Sequence, residues 1–449
     1  MLRNAASKLM WGERTTVLMV GIALLAALVM VGLLAPQARA VSTFTVNSTA
    51  DPGTGGCDAT ECTLREAIDA ANANNNPTEK DLIKFNIPGP GVHTISPAEV
   101  LPFITEPVII DGYSQPNSLA NSLAKGTNAT LLIELDGSSA DDDGLTIQAK
   151  NCVVKGLVIN NFASGIIVKE GSSATKIEGN FIGTDPSGTV AKGNEFQGVN
   201  LFFHSKNTTV GGTLPAKRNL ISGNDRRGVN IFVSTGNKVL GNLIGTQKDG
   251  ITALGNGESG IDAFNSSNNF VGNGSSAGSN TIAFNGTVSE DAGVEIGTAM
   301  DEPNKSNGNR ILRNSIFSNE GLGIDLGRDG RTLNDPGDAD VGANRLQNFP
   351  VISSAKTVSG TTTIKGTLDS IPVDDLRYTI EFFSNPSSGD EGKTFIGKKI
   401  VSTNDSGHAS FTFSPAKAVS VGETITATAT RNSTGDTSEF SLPRTVSSS

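Results

Sequence analysis

Residues 179–184 read Gly-Asn-Phe-Ile-Gly-Thr, and residues 241–246 read Gly-Asn-Leu-Ile-Gly-Thr. A second motif behaves in the same way: Asn-Leu-Ile-Ser-Gly-Asn at 219–224 is followed by Asn-Thr-Ile-Ala-Phe-Asn at 280–285. The two motifs return after 62 and 61 residues, which indicates an internal structural repeat. Such a repeat takes precedence over local patterns in the choice of a fold.

A shorter period lies within this one, marked by a Gly that ends a polar turn and is followed by an aliphatic residue. The spacings between successive dipeptides are 21, 33, 30, 32, 33 and 30 residues. The dipeptides are Gly144-Leu145, Gly165-Ile166, Gly198-Val199, Gly228-Val229, Gly260-Ile261, Gly293-Val294 and Gly323-Ile324. Each unit holds short β-forming runs that cannot bury an apolar face alone, but stacked units share one interior. The repeat therefore predicts an all-β chain built around a right-handed parallel β-helix, a β-solenoid.

Two other repeat folds fit less well. Propeller blades need about 40–50 residues, and leucine-rich repeats need regularly placed Leu. The many Asn residues suit a β-helix, because Asn tolerates left-handed turns and stacked amides can hydrogen-bond along the axis.

Composition and charge limit the function classes. Charged residues make up 18% of the chain and Gly contributes 52 residues, which excludes helix bundles and coiled coils. The net charge is 35 − 45 = −10, so no basic surface for nucleic acid is expected.

Residues 1–40 combine a basic start, an apolar run over 17–35 and Ala38-Arg39-Ala40, which predicts a signal peptide or an uncleaved membrane anchor. We therefore expect a secreted or cell-surface protein, a monomer, whose contact with a membrane is limited to that segment.

The segment 41–110 is expected to form an N-terminal cap with one helix. Thr63 and Glu66 have the spacing of a capping box, and the apolar residues that follow share one helix face. Cys57 and Cys62 lie close together in one loop, so an oxidising compartment would join them, whereas Cys152 is expected in the core.

Residues 62–68, Cys-Thr-Leu-Arg-Glu-Ala-Ile, resemble the CSLREA element near the N-terminus of many exported bacterial right-handed parallel β-helix proteins, with Thr63 in place of the usual Ser. The resemblance continues through the repeats, over about 40–350. It implies the architecture and export, and it specifies no activity because that group is defined mostly by fold.

Beyond residue 350 the Gly-aliphatic period ends and alternating strands begin. Roughly seven strands in about 100 residues predict an immunoglobulin-like β-sandwich. The expected domains are therefore the leader at 1–40, the cap at 41–110, the β-helix at 111–349 and the sandwich at 350–449.

In a strand that starts at the repeat Gly, the next residue faces inward and the one after it faces outward. The inward column is aliphatic throughout: Leu145, Ile166, Val199, Val229, Ile261, Val294 and Ile324. The outward column turns acidic along the chain: Thr146, Ile167, Asn200, Asn230, Asp262, Glu295 and Asp325. Two residues further along, Phe202, Phe232 and Phe264 form an aromatic ladder. The flanking turns add more charges: Glu195, Asp225, Arg226, Arg227, Glu258, Glu290 and Asp291.

Aromatic rings beside amides and carboxylates suit a sugar, which has both C–H faces and hydroxyl edges. We therefore expect the partner to be an extracellular glycan or another surface macromolecule, bound through Asn200, Asn230, Phe202, Phe232 and Phe264 without catalysis. Asp262, Glu295 and Asp325 are candidate catalytic groups for a polysaccharide lyase, glycoside hydrolase or epimerase, since stacked carboxylates reach the separations that glycosidases use. The sequence lacks the polygalacturonase signature, and a purely structural stalk is a third alternative.

One loop suggests a metal. Asp335, Asp338 and Asp340 lie in a Gly-containing segment, and hard oxygen ligands at such spacing can hold calcium. The acidic residue that completes an EF-hand is missing, so a solvated turn is the alternative. His93, His204 and His408 show no triad spacing.

Overall fold

The strands that start at the repeat Gly pair in the register that the repeat predicts. In the computed structural model, Val199 lies opposite Val229, Val229 opposite Ile261, Ile261 opposite Val294, and Val294 opposite Ile324. The structure describes residues 41–449 except 54, 75–78, 141, 300, 303–304 and 449, so the predicted leader lies outside the described residues. Residues 41–449 form one compact unit.

Three parallel sheets wind around one interior, as in a parallel β-helix. Sheet A consists of Thr43–Val46, Asp81–Phe85, Val108–Asp111, Val153–Lys155, Lys176–Glu178, Thr209–Gly211, Lys238–Leu240, Phe270–Val271 and Arg310–Ile311. Sheet B consists of His93–Ile95, Ile133–Asp136, Val158–Asn160, Phe181–Ile182, Leu220–Ile221, Leu243–Ile244, Thr281–Ala283 and Ser315–Phe317. Sheet C consists of Leu145–Ile147, Ile166–Val168, Val199–Phe202, Val229–Phe232, Ile261–Phe264, Val294–Gly297 and Ile324–Leu326. Short 3₁₀ helices span Gly112–Ser114, Gly137–Ser139, Pro215–Lys217, Ser276–Gly278 and Ala343–Leu346.

The interior is a stack of aliphatic side chains. The predicted inward column of sheet C is buried along its whole length, from Leu145 with 1% exposed to Ile324 with 2%. The inward residues of sheets A and B, such as Ile177 and Ile182, are equally buried. Burial of apolar surface stabilises the fold by about 25 cal/mol for each Å² and is the main force that holds the coils together.

Asn side chains form ladders along the axis at the turns, as predicted. In the first ladder each side-chain Nδ2 donates to the Oδ1 of the next Asn at 2.8–3.0 Å. Its members are Asn194, Asn224, Asn256, Asn285 and Asn319. A second ladder joins Asn180, Asn219, Asn242, Asn280 and Asn314 at 2.9–3.2 Å. The ladders satisfy polar groups that the turns would otherwise bury without partners.

The N-terminal helix Leu64–Asn74 closes one end of the β-helix. Its capping box forms as predicted, because Glu66 N donates to Thr63 Oγ1 at 3.2 Å and Thr63 N donates to Glu66 Oε2 at 2.8 Å. Its apolar face belongs to the same core as the coils. Cys57 and Cys62 form a disulfide, and Cys152 is buried as a free thiol.

The cap is smaller than the sequence suggested. The strands Thr43–Val46, Asp81–Phe85, His93–Ile95 and Val108–Asp111 already belong to sheets A and B. Their inward residues are aliphatic and aromatic, as in later coils, so the β-helix begins well before residue 111. The helix is inserted between the first two strands of sheet A.

The C-terminal segment is a β-sandwich of two antiparallel sheets with immunoglobulin-like connections. One sheet contains Val351–Val358, Thr361–Asp369 and His408–Phe413. The other contains Arg377–Asn385, Thr394–Ser402, Thr424–Arg431 and Arg444–Thr445. Tyr378, Ile380 and Phe382 fill the space between the sheets and are fully buried.

The sandwich covers the last coil of the β-helix with acidic side chains. Coil backbone N–H groups that have no further strand to pair with donate to carboxylates instead: Gly308 to Asp436, Arg313 to Glu381 and Leu326 to Glu439. Glu391 accepts a hydrogen bond from the last member of the first Asn ladder at 2.9 Å. We refer to Glu381, Glu391, Asp436 and Glu439 as the carboxylate caps. Among the described residues, no helix has the length and apolar character needed to cross a membrane.

Candidate functional site

The predicted outward column of sheet C is in register, but its side chains are not open to solvent. Asn200, Asn230, Asp262, Glu295 and Asp325 follow one another along the sheet. Their exposed fractions are 6%, 8%, 2%, 8% and 3%. The column points away from the core, and longer side chains from the turns cover it.

Two arginines provide much of that cover. Arg227 Nε lies 2.7 Å from Asp262 Oδ2, and Arg328 Nε lies 3.0 Å from Glu295 Oε1. In both cases the N–H is not aligned with the oxygen, so these are ionic contacts rather than hydrogen bonds. Arg328 Nη2 also donates to Asp262 Oδ1, which places Asp262 between two guanidinium groups.

The network extends to the surface through Glu258. This carboxylate contacts Arg226 Nε at 2.6 Å and Arg227 Nη2 at 3.1 Å. Three arginines thus balance Glu258, Asp262 and Glu295, and the cluster is neutral. We call these six residues, Arg226, Arg227, Arg328, Glu258, Asp262 and Glu295, the ionic network.

Burial dominates the electrostatics of Glu295. Loss of water raises the pKa of this carboxyl and the neighbouring charge of Asp262 raises it further, whereas Arg328, the Ser259 hydroxyl and Arg227 oppose the shift. Ser259 Oγ donates to Glu295 Oε2 at 2.6 Å. Every oxygen of the pair formed by Asp262 and Glu295 therefore has a cationic or hydroxyl partner.

Asp325 has a local structural role. Its carboxylate accepts backbone N–H groups from Arg328 and Gly330, each at 3.2 Å, and so fixes the loop that carries Arg328. Burial raises the pKa of this carboxyl, and the two backbone hydrogen bonds oppose the shift.

The aromatic ladder forms, with its ring faces turned toward one another. The rings of Phe202 and Phe232 stack with centroids 5.5 Å apart, and those of Phe232 and Phe264 with centroids 5.8 Å apart. Arg328 lies over the far side of Phe264, its Cζ 4.6 Å from the ring centroid. Gly297 follows Phe264 in the column, and a Cβ there would collide with this guanidinium. The ladder therefore presents ring edges to a ligand, not the faces that the sequence suggested.

An exposed ring that the sequence analysis did not single out lies on this ladder. Phe203 is 41% exposed and contacts Phe202 and Phe232 with centroids 5.0 and 5.6 Å away. Phe203 and His204 both have positive φ, 40° and 60°. This left-handed turn costs free energy for bulky residues and brings Phe203 out of the strand alternation. The adjacent pair Phe202-Phe203 was the only sequence feature that could have indicated this exposed ring. Strand alternation alone would have assigned Phe203 to the interior.

The two Asn residues of the column bond to each other. Asn230 Nδ2 donates to Asn200 Oδ1 at 2.9 Å. Together with Phe202, Phe203, Phe232 and Phe264, they form what we call the aromatic face of sheet C. It borders the ionic network, because Arg328 belongs to the network and lies on Phe264.

The three aspartates of the predicted metal loop also come together. Ligand atoms of Asp335, Asp338 and Asp340 all lie within 4.8 Å of one another. Asp338 is held by Ser370, Gln347 and the Asn348 backbone, whereas one shielded oxygen of Asp335 and one of Asp340 have no hydrogen-bond partner among the described residues. Burial and the charges of the other two aspartates raise the pKa of Asp340 to about 6.

Comparisons with known proteins return only distant likenesses. No protein-family model and no curated protein sequence matches the chain. The enzymatically active domain of tailspike protein 2 from bacteriophage CBA120 is similar at 12% identity and a TM-score of 0.26, over 90% of this chain and 63% of that one. A mutant of the periplasmic alginate epimerase AlgG is similar at 16% identity and a TM-score of 0.25, over 55% of this chain and 67% of that one.

A third likeness is to tailspike protein gp49 of Acinetobacter baumannii bacteriophage Fri1, a capsular polysaccharide depolymerase. It has 9% identity and a TM-score of 0.17, over 78% of this chain and 77% of that one. Identities and TM-scores this low carry no information about the activity of this chain.

Proposed function

We propose that the protein binds a glycan outside the cytoplasm through the aromatic face of sheet C, without transforming it. The observation that carries this proposal is Phe203, an exposed phenyl ring fixed in a left-handed turn on a stacked aromatic ladder. Rigid rings that are partly exposed beside polar groups are typical of surfaces that bind amphipathic ligands.

The neighbouring polar groups complement a sugar. Arg328, which lies on Phe264, keeps 29% of its side chain exposed, so its guanidinium group can donate to hydroxyl or carboxylate oxygens of a ligand. Phe203 supplies an apolar surface for the C–H groups of a sugar ring.

The contacts of the acidic residues favour binding over catalysis. A general acid or base must come within hydrogen-bond reach of the atom it serves. Asp262 and Glu295 lie beneath arginines that neutralise them, and Asp325 is engaged by its own loop. Catalysis by these residues would require the ionic network to open.

The disulfide supports a location outside the cytoplasm. Disulfides persist in oxidising compartments and are rare in the cytosol. The bond between Cys57 and Cys62 fixes the loop that precedes the capped helix.

The test is a glycan-array screen of the purified full-length protein and its F203A variant. Loss of an exposed aromatic contact of about 1 kcal/mol or more corresponds to roughly five- to tenfold weaker binding. The matched control is I251A, which removes an exposed apolar side chain, 74% exposed, in the turn after sheet B. We expect this control to bind as the unmodified protein does.

The same glycans are then incubated with the protein and assayed for reducing ends and unsaturated products. Release of products that is lost in D262N or E295Q would replace the binding proposal with the enzymatic alternative. Equal binding by F203A and the unmodified protein would remove the aromatic face from the proposal. Failure to bind any glycan would leave a purely structural stalk as the remaining alternative.

A second, separate proposal is that Asp335, Asp338 and Asp340 hold a calcium ion that strengthens the junction with the sandwich. The specific observation is the convergence of three carboxylates with two shielded oxygens that lack hydrogen-bond partners. Calcium prefers such carboxylate oxygens.

Thermal unfolding with calcium or a chelator tests this metal site. At a calcium concentration of about 100 times Kd, a bound ion would stabilise the fold by about 2.7 kcal/mol. D340N should abolish most of the gain, while D405N, which removes an exposed carboxylate of the sandwich, should retain it. A calcium response that is identical in both variants would place the ion elsewhere.

A further inference from the structure

Sheet A carries a row of exposed lysines on its outer surface. Lys176 and Lys238 occupy one column two coils apart, with Thr209 between them. Lys206 lies on the intermediate coil, where it pairs with Ser173 on one side and Thr235 on the other. We call Lys176, Lys206 and Lys238 the lysine row; all three side chains are exposed.

The charges of the lysine row are not neutralised by neighbouring acids. The nearby Glu178 is paired with Lys217 at 2.9 Å, and Asp111 is paired with Lys155 at 2.9 Å. Within the described part of the chain, no carboxylate forms an ion pair with Lys176, Lys206 or Lys238. These positive charges stand on a protein whose net charge is −10.

The column continues past the lysines with one more cation. Phe270 follows Lys238, and Arg310 follows Phe270. The Arg310 guanidinium lies over the Phe270 ring, 5.2 Å from its centroid. The basic surface thus extends from Lys176 toward the sandwich and includes one flat cationic group.

We propose that the lysine row binds a linear anionic polysaccharide that lies along the axis of the β-helix. Successive coils are about 4.8 Å apart, so Lys176 and Lys238 lie in one column about 10 Å apart, and Lys206 flanks that column on the coil between them, three residues from Thr209. A polymer with one ionised group on each sugar residue is complementary in charge and direction. The row belongs to sheet A, so this proposal goes beyond the one made for the aromatic face and does not depend on it.

Nucleic acid fits the lysine row less well. A duplex carries one charge about every 1.7 Å and is bound through many phosphate contacts by strongly basic surfaces. Three lysines on an acidic protein offer few such contacts, and the net charge repels a dense polyanion. A thin, sparsely charged chain suffers less of that repulsion.

Binding of polygalacturonate to the full-length protein tests the proposal. The triple variant K176Q/K206Q/K238Q is compared with K356Q/K365Q/K417Q, which removes three exposed lysines of the sandwich and changes the net charge by the same amount. Affinity is measured between about 0.01 and 0.15 M salt, where the Debye length falls from about 30 to about 8 Å. We expect the row variant to bind at least about tenfold more weakly at low salt, with a shallower salt dependence, and the sandwich variant to be little changed.

Further ligands separate the possible outcomes. Dextran sulfate carries a denser charge and should bind the lysine row more weakly than polygalacturonate, and neutral dextran should not bind there. Equal loss in both triple variants would show a general charge effect and overturn the proposal. Binding of oligodeoxythymidine as tight as that of polygalacturonate would also overturn it, in favour of nucleic acid. F203A should retain polygalacturonate binding to the row, so failure of the aromatic face and failure of the lysine row give different results.

Discussion

At the scale of single residues, Arg328 connects two features of sheet C. Its guanidinium contacts both Asp262 and Glu295 and also covers the ring of Phe264. Burial lowers the pKa of Arg328, but the two carboxylates outweigh that effect and raise it. The arginine therefore remains charged while it holds together two acids that would otherwise repel each other.

We expect R328M to destabilise the protein, because it leaves two adjacent buried carboxylates without their shared cation. Breaking a buried ion pair costs about 3–5 kcal/mol, and we expect about 2–3 kcal/mol here because part of the Arg328 side chain is exposed. Urea unfolding monitored by circular dichroism measures the loss.

The E295Q change provides the matched rescue. In the R328M background Asp262 still contacts Arg227, and E295Q removes the charge of the carboxylate that has lost its cation, so the double variant should lose less stability than R328M alone. Additive losses in the double variant would show that Arg328 does not act through Glu295.

Sequence reasoning located the residues on the strands and the charged residues of the flanking turns, but it missed Arg328 and Phe203. Asn200, Asn230, Asp262, Glu295 and Asp325 repeat at fixed positions, so their alignment could be predicted. Arg328 and Phe203 have no periodic partners, and their positions depend on loop geometry that alternation does not describe. For the same reason the burial of the acidic column could not be foreseen.

At the scale of structural elements, the Asn ladders link the turn of each coil to the turns of the neighbouring coils. Asn224 accepts from Asn194 and donates to Asn256, at 2.8 Å in both cases. A ladder position is therefore coupled to the coils on both sides of it.

We expect N224A to cost about 2–4 kcal/mol, because it removes the acceptor of both the backbone N–H and the side-chain Nδ2 of Asn194, and an unsatisfied buried group costs about 1–3 kcal/mol. Equilibrium urea unfolding gives the value. N86A removes an exposed Asn side chain at a coil edge and should change stability by less than about 0.5 kcal/mol. Equal effects of the two substitutions would mean that the ladder contributes no specific stability.

The repeat also explains which element boundaries were predictable. The Gly-aliphatic spacing identified sheet C because its strands begin in the same way in every coil. Sheet A begins with Thr43–Val46 and Asp81–Phe85, which lack that Gly, so the first coils resembled a separate cap. The inserted helix between them interrupts the period and hides it.

At the scale of the whole molecule, the carboxylate caps join the β-helix to the sandwich. Burial raises the pKa of Glu391 to about 7, while hydrogen bonds from Asn319 oppose the shift and the charge of Asp390 adds to it. Burial raises the pKa of Glu439 to about 8; the charge of Asp325 adds to this, while the Leu326 and Thr332 N–H groups and Arg331 oppose it. Both carboxyls hold their protons more tightly in the folded protein than in the unfolded chain.

This raised affinity for protons sets the sign of the pH dependence. The folded state binds more protons than the unfolded state between about pH 4.5 and pH 8, so the free energy of unfolding should fall as pH rises through this range. Each unit of pKa shift corresponds to about 1.4 kcal/mol. Urea unfolding at a series of pH values measures the decline, and E391Q, which removes one titrating cap, should make it less steep.

The control for the pH series is E170Q, which removes an exposed carboxylate of a β-helix turn. Its decline should match that of the unmodified protein. A decline that is as steep in E391Q as in E170Q would exclude Glu391 as a source of the pH dependence.

The carboxylate caps also prevent further strands from pairing with the last coil of the β-helix. An open strand edge is a ready template for another chain, and a stack of parallel coils without a terminus could add copies of itself and lengthen into a fibre. Acidic side chains from the sandwich occupy the positions that such an incoming chain would need. The number of coils in the β-helix is thereby set within a single polypeptide.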